Sequence, residues 1–168
     1  NEEAGEHFTP KDVVELMTKL MFIENGDKLK AKNMIKTVYD PACGTGGMLT
    51  SCEDFIGKVN PSVEVVLFGQ EVNPEIYAIC KADMLMKGEN DENIKGPLST
   101  LSKDQFTDMK FDYMISNTPY GRKWEKDEEA VRKEAEKGFE GRFGAWLPRI
   151  NDGQLLFLQH MISKMKAK

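Results

Sequence analysis

One stretch limits what this chain can become. Ile35-Lys36-Thr37-Val38-Tyr39 is dense in β-branched and aromatic residues and reads as a short strand. Asp40-Pro41-Ala42-Cys43 leads out of it into Gly44-Thr45-Gly46-Gly47, and from about Gly47 to Val59, closed by Asn60-Pro61, the pattern is helical. A strand, a glycine-rich turn and a helix form the binding half of a doubly wound, mostly parallel α/β sheet, whose ligands sit at the carboxyl ends of the strands. Two common ligand grips are excluded. The dinucleotide fingerprint Gly-x-Gly-x-x-Gly/Ala fails at Leu49, and no Gly-Lys-Ser/Thr follows that would cradle phosphates. Gly44 and Gly46 let the backbone approach a ligand closely, and Asp40 offers it a carboxylate. The same stretch also fits a plain strand-to-helix turn with Thr45 as the helix cap.

The flanking chain supports the sheet. The near-continuous apolar run Val63-Glu64-Val65-Val66-Leu67-Phe68-Gly69-Gln70 is expected of a buried parallel strand, and Glu71 ends it. In nucleoside-binding sheets an acid ~20 residues past the turn takes the ribose hydroxyls. Otherwise Glu71 is an exposed acid at the next helix start, where Asn73-Pro74 gives good N-terminal chemistry. The helix predicted from Pro74 to Lys87 carries Ile76, Tyr77, Ile79, Cys80, Met84 and Leu85 on one broad face. Lys87 to Asp108 holds at most a short third strand. Phe111 to Ser116 reads as the next strand, and it delivers Asn117-Thr118-Pro119-Tyr120 to the rim that carries the glycine-rich turn. By itself this tetrapeptide also suits an ordinary β-turn.

Residues 121–151 interleave charges with Trp124, Phe139, Phe143 and Trp146. So long a loop is usually functional or disordered, and Lys126 to Lys137 within it fits a polar helix. Gln154 to Lys166 reads as an amphipathic helix turning Leu155, Leu156, Phe157, Leu158, Met161, Ile162 and Met165 inward. Near the start, Thr9 is a helix N-cap, Pro10 suits the first helical position and Asp12 the third. The helix continues along the apolar stripe of Val13, Val14, Leu16, Met17, Leu20 and Met21, followed by a polar loop over 24–33. His7 reads as a surface or capping histidine.

The 168 residues suffice for one domain with a core, and 40% hydrophobic with 30% charged residues is ordinary for a globular protein. No apolar run approaches the ~18 residues of a membrane helix, and no signal peptide is visible. The three cysteines, Cys43, Cys52 and Cys80, form no Cys-x-x-Cys pair, so neither a metal site nor a disulfide framework is expected, and a reducing cytoplasm fits best. A net charge of −5 argues against tight nucleic-acid binding by this chain without another domain or subunit.

Several blocks carry a resemblance. Asp40-Pro41-x-x-Gly44-x-Gly46 resembles motif I of S-adenosylmethionine-dependent methyltransferases, whose cofactor lacks a pyrophosphate but carries a cationic sulfonium and an ammonium that Asp40 suits. Gly5-Glu6-His7-Phe8-Thr9-Pro10 is similar to motif X of amino-methyltransferases, which meets the methionine end of the cofactor. Asn117-Thr118-Pro119-Tyr120 resembles their Asn/Asp-Pro-Pro-Tyr motif, with Thr118 where proline is usual. The order of these motifs marks the gamma arrangement. The wording of four blocks, Gly5 to Pro10, Asp40 to Leu49, Gly69 to Lys81 and Phe157-Leu158-Gln159-His160-Met161, looks like the modification (M) subunit of type I restriction–modification systems.

The resemblance covers essentially the whole chain. It implies methylation of the exocyclic amino group of adenine in DNA, with the base flipped out, and assembly with specificity (S) and restriction (R) subunits. It implies cofactor contacts from Glu6, Phe8, Thr9, Pro10, Asp40, Pro41, Gly44, Thr45, Gly46, Glu71, Asn117 and Asp83, the last facing adenine. Asn117, Pro119 and Tyr120 become the catalytic motif. There the Asn117 and residue-118 carbonyls aim the amino nitrogen, and Tyr120 stacks on the base.

On this reading 1–168 is a partial catalytic domain. Its parts are a motif X segment and helix (1–23), a cofactor half (34–116), a catalytic motif and target loop (117–151) and a last helix (152–168). Family members continue beyond that helix, so an incomplete sheet with one unprotected edge is expected. Two alternatives stay open: an enzyme methylating protein glutamine or RNA by the same Asn-x-Pro-Tyr logic, and a piece that binds cofactor without turnover. A ring-carbon mechanism is excluded, because Cys43 lies in the glycine-rich turn and no Pro-Cys follows the fourth strand.

Overall fold

The computed structural model describes residues 9–22 and 34–167. Four parallel strands, β1 (Met34–Asp40), β2 (Val63–Gln70), β3 (Ile94–Lys95) and β4 (Tyr113–Met114), form one sheet in the order β3-β2-β1-β4. The helices are α1 (Lys11–Phe22), α2 (Gly47–Val59), α3 (Pro74–Lys87), α4 (Glu128–Ala135) and α5 (Gln154–Ser163). The order is that of a doubly wound fold, with β1 central and the chain switching direction between β1 and β4.

Register sets the site. Asp40 lies opposite Gly69, so Asp40 and Glu71 leave adjacent strands on one rim. Alternation along the strands then divides the core. Val38 and Leu67 face α1, α2 and α3, joined by Ile56, Cys80 and Met84. Tyr39 and Phe68 face the other way and pack with Phe106 and Phe111. The Tyr39 and Phe111 rings stack at 4.4 Å.

The predicted bounds of α2 and α3 match those observed, while four expectations are corrected. First, β4 keeps only two of the six residues expected over Phe111 to Ser116. The Asp112 carboxylate accepts from the Thr37 backbone N–H (3.0 Å) and Asp112 N–H donates to Thr37 Oγ1 (2.9 Å), so side-chain bonds replace the ladder there. Second, on α1 the buried residues are Val14, Thr18 and Phe22, whereas Val13, Leu16 and Leu20 are exposed. Third, Ile79 and Leu85 of α3 are exposed, and Cys80 and Met84 are buried. Fourth, α5 ends at Ser163 rather than Lys166; it buries Leu156, Gln159 and His160 and leaves Leu158 and Ile162 exposed, and Met165 beyond it is exposed too.

The 121–151 segment has its own small core. Trp124, Val131 and Phe143 are buried with Leu101 of the preceding connection and Leu156 of α5. The polar helix expected over 126–137 is α4, entered through a 3-10 turn at Glu125–Asp127. Among the described residues no helix is long and apolar enough to cross a membrane.

Candidate active site

At the carboxyl ends of the strands lies a cleft of about 1140 Å³, whose lining includes Thr9, Asp40, Gly44, Glu71, Asn117 and Tyr120. Pro41, Thr45, Asp83 and Pro119 line it as well. Glu6, His7 and Phe8 fall outside the described residues. Pro10 and Gly46 are not among the lining residues.

The glycine-rich turn is tightly built. Gly44 and Gly46 adopt left-handed φ of 55° and 83°, which disfavours any side chain. A Cβ on Gly46 would lie 2.3 Å from Met84 Cε, so Gly46 seats the turn against α3, whereas a Cβ on Gly44 would meet nothing within 4 Å. Gly44 therefore opens bare backbone to the cleft. Gly46, not Thr45, is the N-cap residue of α2, and it makes no side-chain cap bond.

Two acids brace this turn. Asp40 is 1% exposed, and its Oδ1 accepts from Ala42 N–H (2.9 Å) and Ser116 Oγ (2.7 Å). Burial pushes its carboxyl up to about 7 against the pull of those two bonds, and the nearby Glu71 charge adds to the rise. Glu71, 9% exposed, accepts from Gly44 N–H at Oε2 (2.9 Å) and from Val72 and Asn73 N–H at Oε1 (2.9 and 2.8 Å). It is thus neither an exposed acid nor a free one. A carboxylate accepts about four bonds, which leaves Oε2 one further acceptor position. Asp83 pairs with Lys87 at 2.6 Å, one turn along α3.

The second half of the site is held lightly. Asn117 Nδ2 donates to Thr9 Oγ1 at 3.1 Å, and Thr9 Oγ1 donates to Met48 Sδ at 3.7 Å. The Pro10 carbonyl accepts from Val13 and Val14 N–H, which makes Pro10 the N-cap residue of α1 and releases the Thr9 hydroxyl from the capping role expected of it. Asn117 Oδ1 and the Thr118 carbonyl accept no hydrogen bond among the described residues. Tyr120 is 84% exposed.

The sequence reading missed two bracing residues. Ser116 holds Asp40, and Thr100 Oγ1 donates to the Pro41 carbonyl at 2.6 Å. A hydroxyl just before the Asn-Thr-Pro-Tyr stretch is a signal for the first. Nothing local points to the second, which lies in an irregular connection.

The arrangement can hold a cation beside Asp40, offer acceptors at Glu71, and orient a hydrogen-bonding group against two unclaimed carbonyls. The profile of N-6 DNA Methylase matches residues 1–168. The chain belongs to the N-6 DNA Methylase family. Relatives within and around this family include the Type I restriction enzyme HindI methylase subunit of Haemophilus influenzae, 27% identical over 164 residues, or 95% of this chain and 32% of that protein. The MjaIX methylase subunit of Methanocaldococcus jannaschii is 27% identical over 69% of this chain and 19% of its own length. The chain thus spans about a third or less of these two relatives.

Among solved structures, the methyltransferase subunit of a type I restriction-modification system from Streptococcus thermophilus matches 98% of this chain and 33% of its own, at a TM-score of 0.75 and 28% identity. A protein from Listeria monocytogenes described as a class I S-adenosylmethionine-dependent methyltransferase shares the fold at a TM-score of 0.71 and 17% identity.

Proposed function

We propose that this chain forms the catalytic part of an enzyme that transfers a methyl group from S-adenosylmethionine to the exocyclic amino group of adenine in DNA, within a type I restriction–modification assembly that supplies specificity and restriction subunits. The observation that carries this reading is that one cleft joins two buried acids, an open glycine backbone and an Asn-Thr-Pro-Tyr loop with two unclaimed acceptors. At about 1140 Å³ it exceeds the ~300–1,000 Å³ of an ordinary ligand pocket, so a cofactor and an extruded base fit together.

The residues fit the cofactor. Asp40 meets the positive methionine end, flanked by Pro41, Thr45 and Thr9. Gly44 lets the ligand lie against backbone that no Cβ shields. The remaining acceptor position of Glu71 takes a ribose hydroxyl. Ile76 and Ile79 give an apolar flank for the adenine ring, with Asp83 near its edge. When bound, S-adenosylmethionine supplies an electrophilic methyl group on a positively charged sulfur.

The chain's own residues do the rest. The adenine amino nitrogen is a poor nucleophile, because its lone pair is conjugated with the ring. Thr9 fixes the Asn117 amide, so that Asn117 Oδ1 and the Thr118 carbonyl accept the two amino protons and draw the lone pair out of conjugation. Pro119 biases Thr118 toward the extended geometry this needs. Tyr120 offers a flat face on which stacking returns ~1–3 kcal/mol of the few kcal/mol that base extrusion costs. Alignment of the two reactants supplies much of the remaining acceleration. Arg122, on the cleft rim without an acid partner among the described residues, suits a DNA phosphate, and exposed Phe139 and Trp146 suit a segment that closes over the base.

Calorimetric titration of S-adenosylmethionine into the full-length subunit tests the cofactor half. Binding is expected in the wild type and weakened in Asp40→Ala and Glu71→Ala; no binding in the wild type overturns the reading. Methyl transfer to adenine-containing duplex DNA, with none to RNA or protein, is the expected result for the substrate half.

A further inference from the structure

The 121–151 segment and the glycine-rich turn lie far apart in sequence, yet part-buried hydrogen bonds of Arg142 link them through Thr100 and His160. Its Nε holds the Glu134 carboxylate of α4 at 2.8 Å and its Nη2 does so at 2.5 Å. Nη2 also donates to the Leu101 carbonyl (2.9 Å), and Nη1 to the Thr100 carbonyl (2.7 Å). Nη1 lies 3.1 Å from His160 Nδ1. A guanidinium only donates, so His160 Nδ1 accepts and the ring carries its proton on Nε2. That proton is donated to the Tyr39 hydroxyl at 3.0 Å. Burial, reinforced by the Arg142 charge, brings His160 down to about 3, which keeps the ring neutral in this role.

Two paths therefore leave Arg142. One runs through His160 to Tyr39. The other runs through Thr100, whose hydroxyl donates to the Pro41 carbonyl at 2.6 Å. They end on the residues immediately before and after Asp40. Nothing in the methyl-transfer chemistry itself uses Arg142, His160, Tyr39 or Thr100.

We propose that Arg142 is a positioning residue that, through His160 and Thr100, holds the Tyr39 side chain on one side of Asp40 and the Pro41 backbone on the other, so that docking of the 121–151 segment and seating of the ligand at Asp40 are one coupled event. The proposal rests on the cofactor reading above. Coupling of this kind is reciprocal: a ligand that tightens the turn also tightens the segment. The segment then closes when cofactor is present, before any base arrives.

The test uses the full-length protein and two readouts: hydrogen exchange of residues 122–147 with and without S-adenosylmethionine, and cofactor affinity by calorimetry. In the wild type, cofactor is expected to slow exchange across 122–147 by about tenfold. Arg142→Gln is expected to lose that slowing and to bind cofactor about tenfold more weakly. Thr100→Val keeps the carbonyl that docks Arg142 and removes only the hydroxyl bond to Pro41. It is expected to weaken cofactor binding about threefold with exchange in the ligand-free protein unchanged, and it carries the test should Arg142→Gln fail to fold. A purely structural role would lower the melting temperature without touching the cofactor dependence of exchange. Wild-type affinity in both variants, or exchange over 122–147 indifferent to cofactor in the wild type, overturns the proposal alone. Absence of cofactor binding in the wild type overturns the methyltransferase reading and this proposal with it.

Discussion

At the end of β1 the cleft wall is finished before any ligand arrives: Asp40 and Glu71 are buried, and between them they accept from four backbone N–H groups and one hydroxyl. At the end of β4 the opposite holds. Asn117 is exposed and tied by one bond to Thr9, two carbonyls are unclaimed, and Tyr120 stands in solvent. The difference teaches a division of labour. On the proposed function, a cofactor that is the same in every turnover suits a wall whose polar groups are already satisfied, and a base that enters from a duplex suits acceptors left open and a loop held lightly enough to admit it.

The comparison can be broken at each half. Asn117→Ala should lower kcat on the order of 10²–10³-fold, the size seen when one oriented polar group is lost from a reacting centre. Cofactor affinity by calorimetry should stay within about threefold. Equal loss of both would show that the two halves are not separable. Glu71→Ala should do the reverse, because it removes the acceptor of three partly buried backbone amides, each bond being worth about 0.5–1.5 kcal/mol. Cofactor affinity should fall on the order of 10²-fold with a lower melting temperature, and Glu71→Gln should lose less.

Asp40 gives a pH signature. Its carboxyl sits at about 7 in the folded chain because burial disfavours the charge, against ~3.9 when unfolded. Between these values the folded chain holds a proton that the unfolded chain has released, so this group's contribution makes stability fall as pH rises from about 4 to about 7. A cationic ligand favours the ionised form, so binding expels the proton. Affinity should rise with pH by up to about tenfold per unit below 7 and level off above it. In Asp40→Asn the slope should vanish, and a retained slope would assign it elsewhere.

Smaller effects sharpen the contrast. Thr9→Val removes one neutral hydrogen bond, worth about 0.5–1.5 kcal/mol. It should lower kcat some threefold to tenfold, with a smaller loss of cofactor affinity. Thr118→Pro restores the residue usual in the motif and stiffens the loop by about 0.4–1 kcal/mol through the unfolded state. A modest rise in kcat is expected, and a fall would mean that the Thr118 amide has a use of its own.

Much of the wall around Asp40 and the glycine-rich turn was legible in the sequence. Gly44, Gly46 and Pro74 punctuate periodic segments, so α2 and α3 could be bounded from the chain alone. What stayed hidden was set by polar groups finding distant partners. Gln159 and His160 are buried on α5 in place of Leu158 and Ile162, because the Trp146 carbonyl, Tyr39 and Arg142 lie on that side. The core of the 121–151 segment was hidden too, since Trp124, Val131 and Phe143 follow no period. The sequence marked the Asn117–Tyr120 stretch for its composition, but the partnership of Asn117 with Thr9 depends on where α1 begins, one residue later than expected.

The bonds that complete this cleft join the most distant parts of the described chain. Asn117 reaches back 108 positions to Thr9, and His160 reaches back 121 to Tyr39. Contacts of such span form late, since the entropy of closing so long a loop comes before any reward. The bond by which Glu71 braces the glycine-rich turn needs only 27 positions to close, from Glu71 to Gly44. A growing or refolding chain would therefore have the Asp40–Glu71 wall shaped well before the Asn117 wall, and on the proposed function recovery of ligand binding should precede recovery of turnover.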